Sequence, residues 1–502
     1  MAKALMVQGT GSGVGKSILV TALCRIFLQD GYKVCPFKAQ NMALNSYVTK
    51  DRGEIGRAQA VQAQACGIEP LVDMNPVLLK PTGAIGAQVI VRGKSIGNMS
   101  ALEYMKRKKK LFSKVKTSYE RLARVNDIMV IEGAGSPAEI NLKSHDIVNM
   151  RMALYAKAPV ILTADIDKGG AFAWIVGTLQ LLNKRERKMV KGIVINKFRG
   201  DKKLLKSGID FLERRLGIKV LGVIPYFSRH SGIPSATGKD ILIPQEDSVF
   251  LETMPEWPAS PRPKNGHLNI AVIKLPYISN YTDFDALEKE PKVNLRYVHR
   301  PHDLGSPDVI IIPGTKNTIE DLAWLKNSGL AKQIVSAIDY RLSTMLIGIC
   351  GGYQMLGKKI YDPKGIESQE KSIDGLGILP ITTTFAKGKM LSQVKGREIS
   401  TGLEMRGYEI HHGRTQCPRD SLPVFQITRR QGKEVNNVDG TLSKDGRVLG
   451  TYLHGLFDQD GFRNDFLNRL RKRKGLVPIA KVTPFDLEKE YDALAKLVRE
   501  NM

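Results

Sequence analysis

The sequence predicts a two-domain α/β protein, each domain built on a largely parallel sheet. Three observations carry this. Short, nearly continuous apolar runs recur along the chain, as suits strands buried on both faces. Amphipathic segments of helical length separate them. A break at Met254-Pro255-Glu256-Trp257-Pro258-Ala259-Ser260-Pro261-Arg262-Pro263-Lys264-Asn265-Gly266, with four prolines and a glycine, divides the pattern in two.

The expected organisation is a first domain over 1–245, a linker over 246–266, a second domain over 267–475 and a helical tail over 476–502. Strands of the first domain are expected at Ala4-Gln8, Lys33-Phe37, Ile128-Glu132, Val160-Ala164, Gly192-Asn196 and Val220-Ile224. Those of the second are expected at Leu268-Lys274, Val309-Pro313, Thr344-Ile349 and Val448-Leu453. A chain of 502 residues suits two or three domains. With 42% hydrophobic residues it can bury large cores, and 25% charged is ordinary.

No apolar stretch approaches the ~20 residues of a membrane span. Met1 to Gln8 reads as a strand, not a signal peptide, so a cytoplasmic location is expected. The five cysteines, Cys24, Cys35, Cys66, Cys350 and Cys417, lack metal-ligand spacing and read as reduced thiols. The net charge is +26, and its densest run is Lys106-Arg107-Lys108-Lys109-Lys110, after Met99-Ser100-Ala101-Leu102-Glu103. That run reads as a solvated helix face. Aromatics are 7% and no nucleic-acid motif accompanies the charge, so neither a nucleic acid nor a membrane is the expected partner. Anionic small molecules suit it better.

The first strand runs into Gly9-Thr10-Gly11-Ser12-Gly13-Val14-Gly15-Lys16-Ser17, a phosphate-binding loop opening a helix. Its first glycine is Gly9, where the commoner spacing would put one at Thr10, so the loop is one residue longer. The chemistry is kept. Backbone N–H groups at a helix start cradle phosphate, Gly13 and Gly15 let the chain approach, Lys16 neutralises charge and Ser17 can ligate Mg²⁺. ATP with Mg²⁺ is therefore the expected nucleotide. Two carboxylates are candidate metal partners. Glu132 ends the strand before Gly133-Ala134-Gly135, where α/β domains bind ligands, and Glu54 lies in Gly53-Glu54-Ile55-Gly56-Arg57. Asp165 and Asp167 also follow a strand and either shape the site or cap a helix.

In the second domain, Leu346-Ile347-Gly348-Ile349-Cys350-Gly351-Gly352-Tyr353-Gln354 is an apolar strand, a small-residue turn and a helix-like segment. It is the thiol counterpart of the nucleophile elbow. A cysteine nucleophile needs a base. His454 ends the strand Leu449-Gly450-Thr451-Tyr452-Leu453 and is the leading candidate, with His411 and His412 as alternatives. The loop Pro313-Gly314-Thr315-Lys316-Asn317-Thr318 ends another strand. Backbone N–H groups at Gly314 and Gly351 are candidate oxyanion donors.

These residues resemble the glutamine-hydrolysing adenosylcobyric acid synthases over nearly the full length. The first half is similar to the dethiobiotin synthetase-like ATPases through Gly9 to Ser17 and Glu132 to Gly135. More specific are Phe37 to Ser46, Met74 to Pro81, Asn196 to Asp201 and Ile278 to Asp285. The second half resembles the triad-type (class I) glutamine amidotransferases, in which the thiol is Cys350 and the base His454. The resemblance adds Lys38 and Asn196 to the nucleotide-binding set. Two departures stand out. The glutamate that most such amidotransferases place two residues after the histidine is here Leu456, as in the resembling branch, so what orients His454 is open. Ser228 to Lys239 reads as an inserted loop.

The implied reaction uses glutamine as nitrogen donor. Cys350 releases ammonia from it, ATP activates a carboxylate, and ammonia converts that carboxylate to an amide. The implied substrate is adenosylcobyrinic acid a,c-diamide, amidated on four peripheral carboxylates. The sister cobyrinic acid a,c-diamide synthase shares the architecture, and Phe37 to Ser46 and Ile278 to Asp285 argue against it. A partition-type ATPase would carry a lysine where Gly11 stands and would leave the thiol domain unexplained. A binding module with an inactive amidotransferase domain is a third reading, which a glutaminase assay separates.

Overall fold

A computed structural model describes residues 2–82, 86–227, 241, 265–340 and 343–502. The inserted loop at Ser228 to Lys239, and the linker up to Lys264, lie outside the described residues apart from 241. The chain forms two compact units. One comprises Met1–Ala43, Gly53–Val249 and Asp486–Met502, the other Leu44–Arg52 and Phe250–Phe485. The chain thus passes between the units four times. A short piece of the first half, 44–52, folds with the second unit, and the last helix, Leu487–Arg499, folds with the first.

The first unit is centred on six parallel strands in the order Val220–Pro225, Val190–Phe198, Val160–Asp165, Lys3–Gly9, Ile128–Glu132, Val34–Phe37. All six expected strands are present. Alternate residues feed two separate cores. Met6, Ile131 and Leu162 pack into one, Val7, Val130 and Ile161 into the other. Both faces are therefore dry, which is why these strands read as unbroken apolar runs. The last helix supplies Tyr491, Leu494, Ala495 and Val498 to the second of these cores. A four-stranded sheet, Gln40–Met42, Val77–Thr82, Gly86–Val91 and Lys94–Ser100, is an addition that the apolar pattern did not reveal.

The basic run lies on the helix Ala101–Ala123, started by a capping box between Ser100 and Glu103. Lys106, Arg107, Lys109 and Lys110 are exposed, while Lys108 is buried over the Tyr104 ring.

The second unit holds a sheet in the order Val293–Val298, Leu268–Ile273, Val309–Ile312, Met345–Ile349, Val448–Thr451, Thr441–Leu442, parallel except for the last strand. The four expected strands form its centre. Beside it stands a largely antiparallel sheet dominated by the long pair Thr382–Glu398 and Glu404–Gln416. One continuous core joins the two. Among the described residues no helix is long and apolar enough to cross a membrane.

Candidate active sites

In the first unit the strand Lys3–Gly9 delivers the phosphate loop to the helix Lys16–Gln29. Lys16 folds back over the loop, donating to the Gly11 carbonyl at 2.7 Å and the Gly135 carbonyl at 3.1 Å. Its ammonium thus bridges the loop and the Gly133-Ala134-Gly135 turn, the place where a phosphate anion would sit. Asn149 braces that turn, accepting from the Ala134 N–H at 3.0 Å and donating to its carbonyl at 2.7 Å.

Glu132 is the centre of the polar network. It is fully buried. Its Oε1 accepts from Ser17 Oγ at 2.8 Å and from Lys38 Nζ at 2.8 Å, and its Oε2 accepts from Gln62. Burial pushes this carboxyl's pKa up, but Lys38, Gln62 and Ser17 reverse the effect and hold it below the usual range. An ionised carboxylate beside a loop hydroxyl is a hard oxygen pair of the kind Mg²⁺ takes. Among the described residues no group of three or more His, Cys, Asp or Glu forms a metal cluster. Glu54 forms a buried ion pair with Lys80 at 2.8 Å, leaving Glu132 as the carboxylate on Ser17.

Asn196 donates to the Val14 carbonyl at 2.9 Å. Next to it, Lys197 reaches the Gly13 carbonyl and the buried Asp165, both at 2.7 Å. These residues buttress the loop from behind. The sequence singled out Asn196 and Asp165, but not the Lys197 bridge between Asp165 and the loop.

The thiol site lies where three strands of the second unit end. Cys350 has φ 54° and ψ −106°, a left-handed backbone that a residue with a Cβ rarely adopts. The turn is forced by close packing. A methyl group on Gly352 would stand 1.9 Å from the Ile312 carbonyl oxygen, so only glycine lets the following helix press against the neighbouring strand. A methyl group on Gly314 would stand 2.9 Å from His454 Cε1 and 3.7 Å from Cys350 Cβ. The thiol, the imidazole and the Gly314 loop therefore converge on one point. Gly351 packs against Thr315 of the same loop.

His454 has no exposed surface. Its backbone pairs with Tyr408 in both directions, and the two rings stack with centroids 5.0 Å apart. Its Nδ1 lies 2.6 Å from Asp283 Oδ2. Its Nε2 is buried and has no hydrogen-bond partner among the described residues. Burial disfavours the imidazolium, but the charge and hydrogen bond of Asp283, with the neighbouring Cys350, raise its pKa to about 10. Leu456 is buried and apolar.

The alternative histidines are engaged elsewhere. His411 bonds the Gly413 carbonyl through Nδ1 at 2.8 Å and stacks on Tyr452, and burial pushes its pKa down to about 3. His412 Nδ1 lies 3.2 Å from the Ala386 carbonyl. Asp283 is the site residue that sequence reasoning missed. Its segment, Ile278 to Asp285, reads in the sequence only as a run shared with the resembling family.

Two family models match the chain. Residues 5–236 match the model of the CobQ/CobB/MinD/ParA nucleotide binding domain. Residues 269–462 match that of the CobB/CobQ-like glutamine amidotransferase domain. The chain is 51% identical over 510 residues to a cobyric acid synthase of Dehalococcoides mccartyi (strain CBDB1), covering 100% of this chain and 97% of the relative. It is 52% identical over 513 residues to one of Moorella thermoacetica, covering 100% and 96%. A third, from Syntrophobacter fumaroxidans, is 48% identical over 512 residues, covering 100% and 97%.

Proposed function

The chain belongs to the cobyric acid synthase family, and from that premise we propose how its two sites divide one amide-forming reaction. It is an ATP-dependent carbon–nitrogen ligase with glutamine as amido donor, acting in cobalamin biosynthesis. Its substrate is adenosylcobyrinic acid a,c-diamide, whose peripheral carboxylates it amidates to give adenosylcobyric acid. Because ATP and glutamine are cytoplasmic metabolites, we place it in the cytoplasm.

In the second unit the Cys350 thiol gives its proton to His454, and the sulfur attacks the glutamine carboxamide carbon. The C=O electrons move to oxygen, where backbone N–H groups at Gly314 and Gly351 receive the charge. The His454 imidazolium gives its proton to the departing nitrogen, the oxygen electrons re-form C=O as the C–N bond breaks, and ammonia leaves behind a thioester on Cys350. Water, deprotonated by His454, then cleaves the thioester to release glutamate and the thiol.

In the first unit the loop N–H groups and Lys16 hold the ATP phosphates. The substrate carboxylate takes the γ-phosphoryl group, giving an acyl phosphate and ADP. Ammonia attacks the acyl carbon, phosphate leaves with the C–O electrons, and the ammonium proton passes to solvent. A free carboxylate is a poor acyl donor, and phosphorylation supplies the leaving group. Ser17 Oγ and the Glu132 carboxylate are the residues that would hold Mg²⁺ against the phosphates, where it would neutralise charge developing on their oxygens. Glu54, paired with Lys80 as Glu132 is with Lys38, is the second candidate carboxylate for that ion.

The observation that carries this reading is that one chain holds Lys16 over a phosphate loop and Cys350 and His454 at one point of a glutaminase fold. The test is amide formation on the a,c-diamide with ATP and glutamine, followed by mass spectrometry. Accumulation of amidated products, with cobyrinic acid a poor competitor, is expected. Preference for cobyrinic acid would instead indicate the sister a,c-diamide synthase.

A further inference from the structure

We propose that Asp283 is the carboxylate that orients His454, taking the place of the acid that Leu456 lacks. The proposal rests on the glutaminase reading above and deepens it. His454 and Asp283 are 171 residues apart in sequence, and the carboxylate grips the histidine at two points. Oδ2 meets Nδ1 at 2.6 Å, and Oδ1 accepts the Gly455 backbone N–H at 3.0 Å. Both oxygens are thus spent on one residue and the peptide that follows it. Such a grip fixes the ring's rotation as well as its tautomer.

With Nδ1 committed to Asp283, Nε2 is the nitrogen that exchanges protons. It is this nitrogen that is buried with no hydrogen-bond partner among the described residues, and the ring's Cε1 edge faces the Gly314 and Cys350 side. That is the arrangement a triad requires: acid on one nitrogen, reacting proton on the other.

The Asp283 loop is itself built to hold position. It is a short turn, Tyr281–Phe284, entered through Asn280 at φ 54°. The Asn280 N–H is taken by the Asn45 side chain, and its Oδ1 accepts the Ser46 N–H at 3.0 Å. Just before it, the Ser279 N–H donates to the Gly314 carbonyl at 2.9 Å. The loop bearing the acid is therefore tied to the Gly314 loop beside the thiol. The other titratable groups around the ring are Cys350, the stacked Tyr408 and His411, with Asp458 beside Gly455.

The test uses the full-length protein and follows glutamine hydrolysis against pH. Asp283→Asn keeps the shape but removes the charge and can present the wrong hydrogen-bond partner to Nδ1. Its kcat should fall on the order of 10²–10⁴-fold, the range a positioned base supplies, with KM for glutamine little changed. Without the anion the imidazolium is less favoured, so the alkaline limb of kcat/KM should move to lower pH. Amidation with free ammonia should stay near wild type. A kcat within threefold of wild type and an unmoved alkaline limb would overturn the assignment. So would a rise in KM alone.

If Asp283→Asn does not fold, Asp283→Glu decides the matter. It keeps the charge, so its alkaline limb should stay near the wild-type position while misplaced geometry lowers kcat. A limb that falls to lower pH in this variant overturns the proposal. Failure of the underlying reading looks different: wild type would not hydrolyse glutamine, or Cys350→Ser would still do so.

Discussion

Ser17 and Glu132 stand 115 residues apart in sequence and share a hydrogen bond of 2.8 Å. The strand Ile128–Glu132 ends beside the first turn of the helix Lys16–Gln29, which holds Ser17, so the parallel pairing sets a carboxylate against the phosphate loop. Glu132→Gln keeps the side-chain shape but offers a poor metal ligand. We expect its Mg²⁺ requirement for ammonia-dependent amidation to rise on the order of tenfold or more, with basal glutaminase unaffected. An unchanged Mg²⁺ titration would remove Glu132 from the metal site.

The same carboxylate has a pH signature. Its pKa in the folded protein lies below the usual range, so its stabilisation is complete above the unfolded carboxylate value of about 4.3 and is lost as pH falls through the folded value. Removing one partner of a buried pair costs about 3–5 kcal/mol, because it strands the other charge. Glu132→Gln should therefore lower the thermal midpoint more than the double variant Glu132→Gln with Lys38→Met. The double variant should also lose less stability than wild type between pH 5 and pH 3 (both on the order of the carboxylate range). Equal acid sensitivity in the two proteins would contradict the assignment.

Cys350→Ser and Lys16→Ala should fail in opposite ways. The first removes ammonia production and leaves ammonia use, so free ammonia should restore amidation. The second leaves no activated carboxylate, so amidation should fail with either nitrogen source. Parallel assays with glutamine and with ammonium chloride separate them. Normal ammonia-dependent amidation in Lys16→Ala would rule out the loop as the ATP site.

What the sequence revealed follows from burial. Strands such as Val160–Asp165, dry on both faces, leave a short, nearly continuous apolar run in the sequence. Thr382–Glu398 is a longer strand, yet its exposed positions are Thr384, Lys387, Gly388, Lys395 and Arg397, and it carries no such run. The loop glycines and Cys350 were legible because turn geometry restricts residue type locally. Asp283 was not. Its role depends on a backbone crossing between distant segments, and the expected place for the acid, two residues past His454, holds Leu456. Likewise nothing in the spacing of Asn45 shows that 44–52 folds with the glutaminase unit.

That last contact makes its own prediction. Asn45 accepts the N–H of Asn280, which is held in the left-handed region three residues before Asp283. A hydrogen bond contributes about 0.5–1.5 kcal/mol net, so Asn45→Ala should slow glutamine hydrolysis on the order of three- to tenfold. Phosphate-loop chemistry, read as ammonia-dependent turnover, should change less. Equal loss in both assays would point to a general folding defect instead.

The base itself can be checked against its neighbours. His411 is neutral at all working pH values, since burial pushes its pKa down to about 3, and its ring is committed to Tyr452 and the Gly413 carbonyl. His412 is tied to the Ala386 carbonyl through Nδ1. Of these three, His454 alone combines a raised pKa, an acid on Nδ1 and a ring edge against the Gly314 and Cys350 point. His454→Ala should therefore lower glutaminase turnover ~10²–10⁴-fold, while His411→Ala and His412→Ala, checked for folding, should stay within about tenfold, the scale of one lost hydrogen bond. Near-normal turnover in His454→Ala, with loss in either of the others, would move the base to the strand Glu404–Gln416 and require the thiol site to be redrawn around it.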